Sequence, residues 1–301
     1  MENYTDFIHY LASKKSVDDR ALNQQVWDRL AVELDTHDPV NILEIGGGIG
    51  TMIERLLERN VLQHANYTLL DEQPGNIAEA QRRLPEWAKE HGFSMNWQKS
   101  NLVLSKDKRN IQVTFLAKDL FDFLAEREFT REYDLLIAHA FLDLVDIPAT
   151  LPRLFELIHS DGLFYFTINF DGETIFEPSI PDDVEIMRRY HRTMDARVID
   201  GKPSGDSRTG RHLFSQLKEA GGEILAAGSS DWVVFAGQND YLNDEAYFLR
   251  FIINTVQSAL RRDAETDQDL LDAWASTRHA QVTSGTLVYI AHQLDFFGRV
   301  A

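Results

Sequence analysis

Residues Val40 to Gly50 read VNILEIGGGIG, an apolar run that enters four glycines within five positions, with Glu44 just ahead of them. An apolar strand running into glycines and then a helical pattern marks a tight strand-to-helix turn. Glycine suits it because no Cβ holds a neighbouring chain or a ligand at a distance. The spacing is Glu44-x-Gly46-x-Gly48-x-Gly50. A dinucleotide fingerprint wants glycine or alanine at position 51, where Thr51 stands. The turn therefore predicts a nucleotide-type cofactor that need not be NAD.

The pattern around this turn sets the fold class. Short apolar runs at Val40–Ile45, Tyr67–Leu70, Val113–Leu116, Tyr133–Ala138 and Leu163–Ile168 alternate with helical patterns such as Met52–Arg59 and Ile77–Glu90. Such alternation predicts βαβ units, hence an α/β fold with a mostly parallel sheet covered on both faces. Residues 1–38 read as a helical segment through Phe7, Ile8, Leu11, Leu22, Val26, Leu30 and Leu34, ahead of a main domain at 39–301.

After the fifth strand come a polar loop, a helix over Asp182–Ala196 and the turn-rich Asp200-Gly-Lys-Pro-Ser-Gly. A helix Thr209–Ala220 closed by Gly221-Gly222 follows, then a strand region Glu223–Ala236, helical residues Asp244–Ala280 and a last apolar run Thr286–Gln293. Segments 171–206 and 240–282 read as elaborations on the sheet core, suited to a lid, a substrate wall or the surface of a homodimer, or as extra packing.

Charge and composition exclude several classes. The 48 acidic and 30 basic residues leave a formal charge of −18, which repels nucleic acid unless a basic patch overrides it. The short Lys106-Asp107-Lys108-Arg109 run reads as a solvated loop. Cysteine is absent, so disulfides, thiolate nucleophiles and Cys-based zinc sites are out together. The first thirty residues hold no signal-peptide apolar stretch, and no run reaches the roughly 18 apolar residues of a membrane helix. The expectation is a cytoplasmic protein with neither nucleic-acid nor membrane partner.

In an open α/β sheet, ligands sit beyond the carboxyl ends of the strands where strand order reverses. Gly46, Gly48 and Gly50 follow the first strand. Asp71 ends the second, where an acid can accept from ribose hydroxyls. Lys118, Asp119 and Leu120 follow the third; Asp119 suits an exocyclic adenine amine and Leu120 the ring. Glu44 would repel a phosphate and better suits a cationic or amine-bearing ligand.

This set resembles the class I S-adenosylmethionine-dependent methyltransferases at their first motif, here LEIGGGIG (43–50). Asp71 matches that family's ribose-binding acid, Asp119 its adenine-contacting acid, and YDLLIAHAFLDL (133–144) its fourth strand and substrate-facing loop. The resemblance covers roughly 38–170, with weaker matches at 209–236 and 286–297. It implies a Rossmann-like seven-stranded sheet whose last strand, LVYIAHQLDFF (287–297), is antiparallel. It also implies S-adenosylmethionine as cofactor, S-adenosylhomocysteine as product, and a small-molecule acceptor. The helical segment 240–282 departs from the family by interrupting its last hairpin.

Methyl transfer from a sulfonium is an in-line displacement that mainly needs alignment and dryness. A general base is required only when the acceptor must lose a proton. His139, directly after LLIA, is a candidate base, and Asp143 is placed to orient it or line the pocket. Asn169, after LFYFTI, and Arg208 and Arg211, beside the first turn of a helix where the dipole disfavours cations, are candidate substrate contacts. A structural pairing of the arginines, with Asp206 the nearest acid, is the competing reading. The run from Lys14 to Arg20 reads as a solvated face, although the resemblance lets Tyr10 or Arg20 reach the cofactor's carboxylate. No phosphate loop, His-Glu-x-x-His or Gly-x-Ser-x-Gly elbow is present. Two rivals stay open: an NAD(P)-dependent oxidoreductase, and a non-catalytic cofactor-binding or regulatory protein of the same fold.

Overall fold

The computed structural model describes residues 4–34, 38–126, 131–199, 201–238 and 240–300. Asp200, the first residue of the turn noted above, lies outside them. In chain order the elements begin α1 (Tyr4–Ala21), α2 (Gln24–Leu34), β1 (Val40–Ile45), α3 (Thr51–Glu58), β2 (His64–Asp71) and α4 (Pro74–Glu90). Next come β3 (Ser94–Gln98), β4 (Asn101–Lys106), β5 (Arg109–Ala117), α5 (Leu120–Ala125), β6 (Tyr133–His139) and a short 3-10 turn (Leu142–Leu144). Then follow α6 (Ile147–Phe155), β7 (Ile158–Glu177), α7 (Asp183–Asp195), the two-residue strands β8 (Val198–Ile199) and β9 (Lys202–Pro203), and α8 (Thr209–Glu219). The chain closes with β10 (Gly222–Ser229), β11 (Trp232–Val234), α9 (Glu245–Leu260), α10 (Gln268–Thr283) and β12 (Val288–Val300).

Successive residues of a strand point to opposite faces of its sheet, and here both faces are covered. From β1, Ile42 joins a core with Leu56 of α3, Leu84 of α4 and Leu30 of α2. Its neighbour Leu43 joins a second core with Phe123 of α5, Leu154 of α6 and Leu213 of α8. Burial on both sides is why the strands read as near-continuous apolar runs.

The strand order is β10-β12-β7-β6-β1-β2-β5-β4-β3, with β11 also on β12. Strands β7, β6, β1, β2 and β5 pair in parallel. β12 runs antiparallel between β7 and β10, as the resemblance implied. Chain order reverses at β1, with β2 on one side and β6 on the other. The crevice beyond the ends of β1 and β6 is therefore the expected ligand position.

Two expectations need correction. The sheet has ten strands among the described residues, not seven. The unforeseen β3–β4 hairpin was hidden because β3 (Ser-Met-Asn-Trp-Gln) is exposed along its whole length and shows no buried alternation. The fifth parallel strand does not stop at Ile168: β7 continues to Glu177, held by β12 through pairs such as Thr174 with Ala291 and Glu177 with Val288. The polar Asp171-Gly172-Glu173 is taken up in a register shift, with Gly172 at φ +84°. The N-terminal segment is two helices, broken at Asn23, whose Oδ1 accepts from the amides of Gln25 and Val26 at 3.1 Å each. Among the described residues no helix is long and apolar enough to cross a membrane.

Candidate active site

The glycine turn leaves β1 with Gly46 at φ +62° and Gly48 at φ +53°, conformations costly for any side chain. A Cβ on Gly46 would lie 2.3 Å from the ring of Phe141, which follows β6, so this residue lets two loops close together. A Cβ on Gly48 would meet only Leu11 of α1, at 3.5 Å; this glycine faces the cleft and leaves space a side chain would fill. Gly50 instead packs at 3.4 Å on Leu69 and 3.5 Å on Ala80 as α3 begins. It holds helix to sheet and does not line the cleft, as Gly46 and Gly48 do.

Asp71 is 7% exposed at the end of β2. Its Oδ2 accepts from the Gly48 amide at 2.9 Å, while Oδ1 accepts from the Gln73 amide at 2.9 Å and Asn76 Nδ2 at 3.0 Å. A carboxylate has about four acceptor positions, so three are used in fixing the glycine turn and one remains on Oδ2. Burial raises the Asp71 carboxyl above its usual range, opposed by the bonds from Gln73, Gly48 and Asn76. Asp119 caps α5: its Oδ1 accepts from the amides of Phe121 (2.7 Å) and Asp122 (3.0 Å). Its Oδ2 has no such partner among the described residues, and both Asp119 and Leu120 line the cleft. Glu44 is buried with its Oε2 accepting from the Tyr67 hydroxyl at 2.7 Å. Burial pushes its carboxyl up to about 8 against that bond's opposing pull, so at neutral pH it is mostly uncharged.

His139 ends β6 with both ring nitrogens occupied. Nδ1 lies 2.7 Å from Thr167 Oγ1 and Nε2 lies 2.9 Å from Asp18 Oδ2. Burial lowers its pKa to about 4 even with Asp18 beside it. A neutral ring that donates to Asp18 and accepts from Thr167 has no lone pair left for a substrate proton. Its geometry is that of a tether between α1 and the sheet rather than a base.

The other end of that tether corrects the reading of Lys14 to Arg20 as a solvated face. Lys14 and Asp18 are buried at 6% and 2% exposure. Asp18 Oδ2 accepts from Lys14 Nζ at 2.6 Å and from Arg55 of α3 at 3.4 Å, and its Oδ1 accepts from Trp232 Nε1 at 2.9 Å. Burial pushes the Asp18 carboxyl up, but Lys14, His139 and Arg55 outweigh it and hold it below the usual range. The missed signal was the i, i+4 spacing of Lys14 and Asp18 on one side of a helix with Leu11, which also lines the cleft. Arg20 is committed to Glu245 of α9, Nη2 to Oε2 at 2.9 Å, and lies away from the cleft.

The cleft occupies about 1670 Å³. Beyond the glycine turn its walls are Tyr10 of α1, Asp143 of the 3-10 turn, Ile168 and Phe170 of β7, Tyr190 of α7, and Tyr289 and Gln293 of β12. Parts of segments 171–206 and 240–282 thus stand at the cleft wall. Three expected substrate contacts are elsewhere. Asn169 is fully buried and donates through Nδ2 to the Leu294 carbonyl at 2.8 Å, inside the sheet. Neighbours on a strand face opposite sides, so Ile168 and Phe170 meet the cleft and Asn169 does not. Arg211 pairs with Asp171, Nε to Oδ1 at 2.8 Å, a structural partner other than the Asp206 expected. Asp206 instead accepts from the Arg208 amide at 2.8 Å, and neither arginine lines the cleft. Tyr190, Tyr289 and Gln293 were not singled out, since each is one aromatic or polar residue in an otherwise ordinary element, whereas Phe141 falls in the 133–144 stretch expected to face the substrate.

Residues 43–164 match a family model described as a methyltransferase domain. No curated protein matches the chain. Among solved structures the chain is similar to an S-adenosylmethionine-dependent methyltransferase of Methanosarcina mazei (12% identity, 89% of this chain and 96% of that one, TM-score 0.47). It is similar to another of Thiobacillus denitrificans with bound S-adenosylhomocysteine (12% identity, 93% of each chain, TM-score 0.45). A third is a cyclopropane synthase of Mycobacterium tuberculosis (11% identity, 92% and 88%, TM-score 0.43). At such identities and scores these likenesses say nothing of what this chain acts on.

Proposed function

We propose that this chain, whose residues 43–164 match a methyltransferase-domain model, is a class I S-adenosylmethionine-dependent methyltransferase, and that the methyl group goes to a small molecule bound between the ends of β6 and β7 and the helices α1, α7 and α9. The observation that carries this reading is the meeting of three unfilled features on one side of the cleft. These are the open left-handed Gly48, the remaining acceptor position of Asp71 and the Oδ2 of Asp119, unpaired among the described residues. They fit an adenosyl group: Asp71 for a ribose hydroxyl, Asp119 for the adenine amine, Leu120 against the ring. Bound there, S-adenosylmethionine supplies an electrophilic methyl group on a sulfonium sulfur.

The chain's own residues align and dry the reaction. Phe141 and Leu11 close over the glycine turn, and α1 roofs the cleft through its ties to His139, Arg55 and Glu245. His139 acts as a positioning residue. Asp143 keeps the role of candidate proton acceptor, because its carboxylate lines the cleft without a partner side chain among the described residues.

Calorimetric titration of the purified chain tests the reading. S-adenosylhomocysteine should bind and NADH should not; binding of NADH alone overturns it. Asp71→Ala should weaken S-adenosylhomocysteine by about 1–3 kcal/mol, the scale of hydrogen bonds to a charged acceptor. Unchanged affinity in that variant places the ribose elsewhere.

A further inference from the structure

The cleft, at about 1670 Å³, exceeds the roughly 300–1000 Å³ of an ordinary small-molecule site. Its half beyond the glycine turn carries its own chemical bias. Tyr10, Tyr190 and Tyr289 come from three separate elements and converge with Asp143. Burial and then the Asp143 charge raise the Tyr190 phenol, while Tyr10 is raised by burial, then Asp18, Tyr289 and Tyr190, with Asp143 last. Tyr10 is held in place by Phe251, ring centroids 4.0 Å apart and nearly parallel.

Besides phenol hydroxyls, which can accept as well as donate, this half presents unmet acceptors. The Asp143 carboxylate has no hydrogen bond or ion pair to another described residue. Gln293, 2% exposed on the same wall of β12, has a buried Oε1 with no partner. Of the cations nearest Asp143, Lys14 pairs with Asp18 at 2.6 Å and Arg197 donates to the carbonyls of Asp143 and Ser204, so neither bonds the Asp143 carboxylate. Unmet acceptors and aromatic faces complement a ligand that brings N–H groups and positive charge. A carboxylate would be repelled by Asp143, and an alcohol brings a single donor and no charge.

We propose that the methyl acceptor is a primary or secondary amine, held as its ammonium ion among Tyr10, Tyr190 and Tyr289 with Asp143 as counter-ion; this rests on the methyltransferase reading. Asp143 takes one proton from the ammonium nitrogen. The freed lone pair forms the new N–C bond to the methyl carbon as the C–S bond breaks, its electron pair passing to sulfur. The products are an N-methylammonium ion and neutral S-adenosylhomocysteine, and the proton on Asp143 passes to water. Burial holds the Asp143 carboxyl above the usual carboxylate range, which makes it a better proton acceptor than an exposed aspartate.

The test uses the full chain with S-adenosylmethionine and three amines, each against its alcohol counterpart: ethanolamine with ethylene glycol, n-butylamine with n-butanol, and benzylamine with benzyl alcohol. Release of S-adenosylhomocysteine is the readout. At least one amine should outpace its alcohol by about 10-fold or more, the scale of one charged hydrogen bond. Asp143→Asn should cut that turnover by about 10- to 100-fold on the same ground. Its affinity for S-adenosylhomocysteine and its melting temperature should match the parent. Tyr190→Leu should raise the amine's KM, and Tyr190→Phe should restore it. Faster turnover of an alcohol, full activity in Asp143→Asn, or no response to any of the three amines by a chain that binds S-adenosylhomocysteine overturns the amine assignment alone. Failure to bind S-adenosylhomocysteine overturns the methyltransferase reading itself.

Discussion

On the glycine side of the cleft, Gly46, Gly48, Asp71 and Asp119 arrive from the ends of three neighbouring parallel strands. On the acceptor side, Tyr10, Asp143, Tyr190 and Tyr289 arrive from two helices, a 3-10 turn and an antiparallel strand. The first set is fixed by backbone: Asp71 binds the Gly48 amide and Asp119 binds the first amides of its own helix. The second set is fixed by packing and by one buried ion cluster around Asp18. A site stitched by its backbone tolerates little change in residue type. A site made by packing elements together can change its ligand through single side chains while the fold stays.

That contrast breaks first at Asp18. Asp18→Ala leaves Lys14 buried without its counter-charge, while Arg55 keeps Asp19, and one-sided loss of a buried ion pair costs about 3–5 kcal/mol. Urea unfolding should show that loss, and an undisturbed midpoint would mean that α1 is held by its other contacts, such as Arg20 with Glu245.

The two sides should also answer pH in opposite directions. Glu44, beside the glycine turn, keeps its proton up to about pH 8 in the folded chain, against an ordinary value of 4.5. Between those values the folded state binds more protons, so stability falls as pH rises. His139, on the other side, resists protonation down to about pH 4 against an ordinary 6.5. There the unfolded state binds more, so stability falls as pH drops through that window. Thermal melts of Glu44→Gln should lose the alkaline slope and keep the acid one; an unchanged alkaline slope would place its origin elsewhere.

Gly46→Ala should cost about 1–3 kcal/mol for its left-handed backbone, with an added share for the contact with Phe141. Combining it with Phe141→Ala should recover only the contact share, measured by the same unfolding. The smallest effect belongs to Arg211→Ala. Its pair with Asp171 leaves the arginine side chain 49% exposed, so the loss should be about 1 kcal/mol or less, with cofactor affinity unchanged by calorimetry.

The parallel core was legible because burial on both faces writes apolar runs into β1, β2, β5, β6 and β7, and because strand-end acids and glycines sit at fixed steps from those runs. The β3–β4 hairpin was not, since an exposed edge strand leaves no such pattern. The length of β7 was hidden for a related reason: Asp171-Gly172-Glu173 has loop composition, and its pairing depends on β12, over a hundred residues later in the sequence. Within the site, Asp71 and Asp119 could be located but not their existing partners, which occupy part of what each was expected to offer a ligand. His139 was located correctly at the end of β6, but its role turned on Asp18 of α1 and Thr167 of β7, contacts no local pattern encodes.

Helix α1 touches both sides at once, with Leu11 over Gly48 and Tyr10 and Lys14 above the acceptor side. An occupant that lifts or settles this helix from one side changes the work an occupant must do on the other. The two affinities are then linked reciprocally: whatever factor the first ligand adds to the second, the second returns to the first. The size of that mutual factor is therefore a property of this one roof.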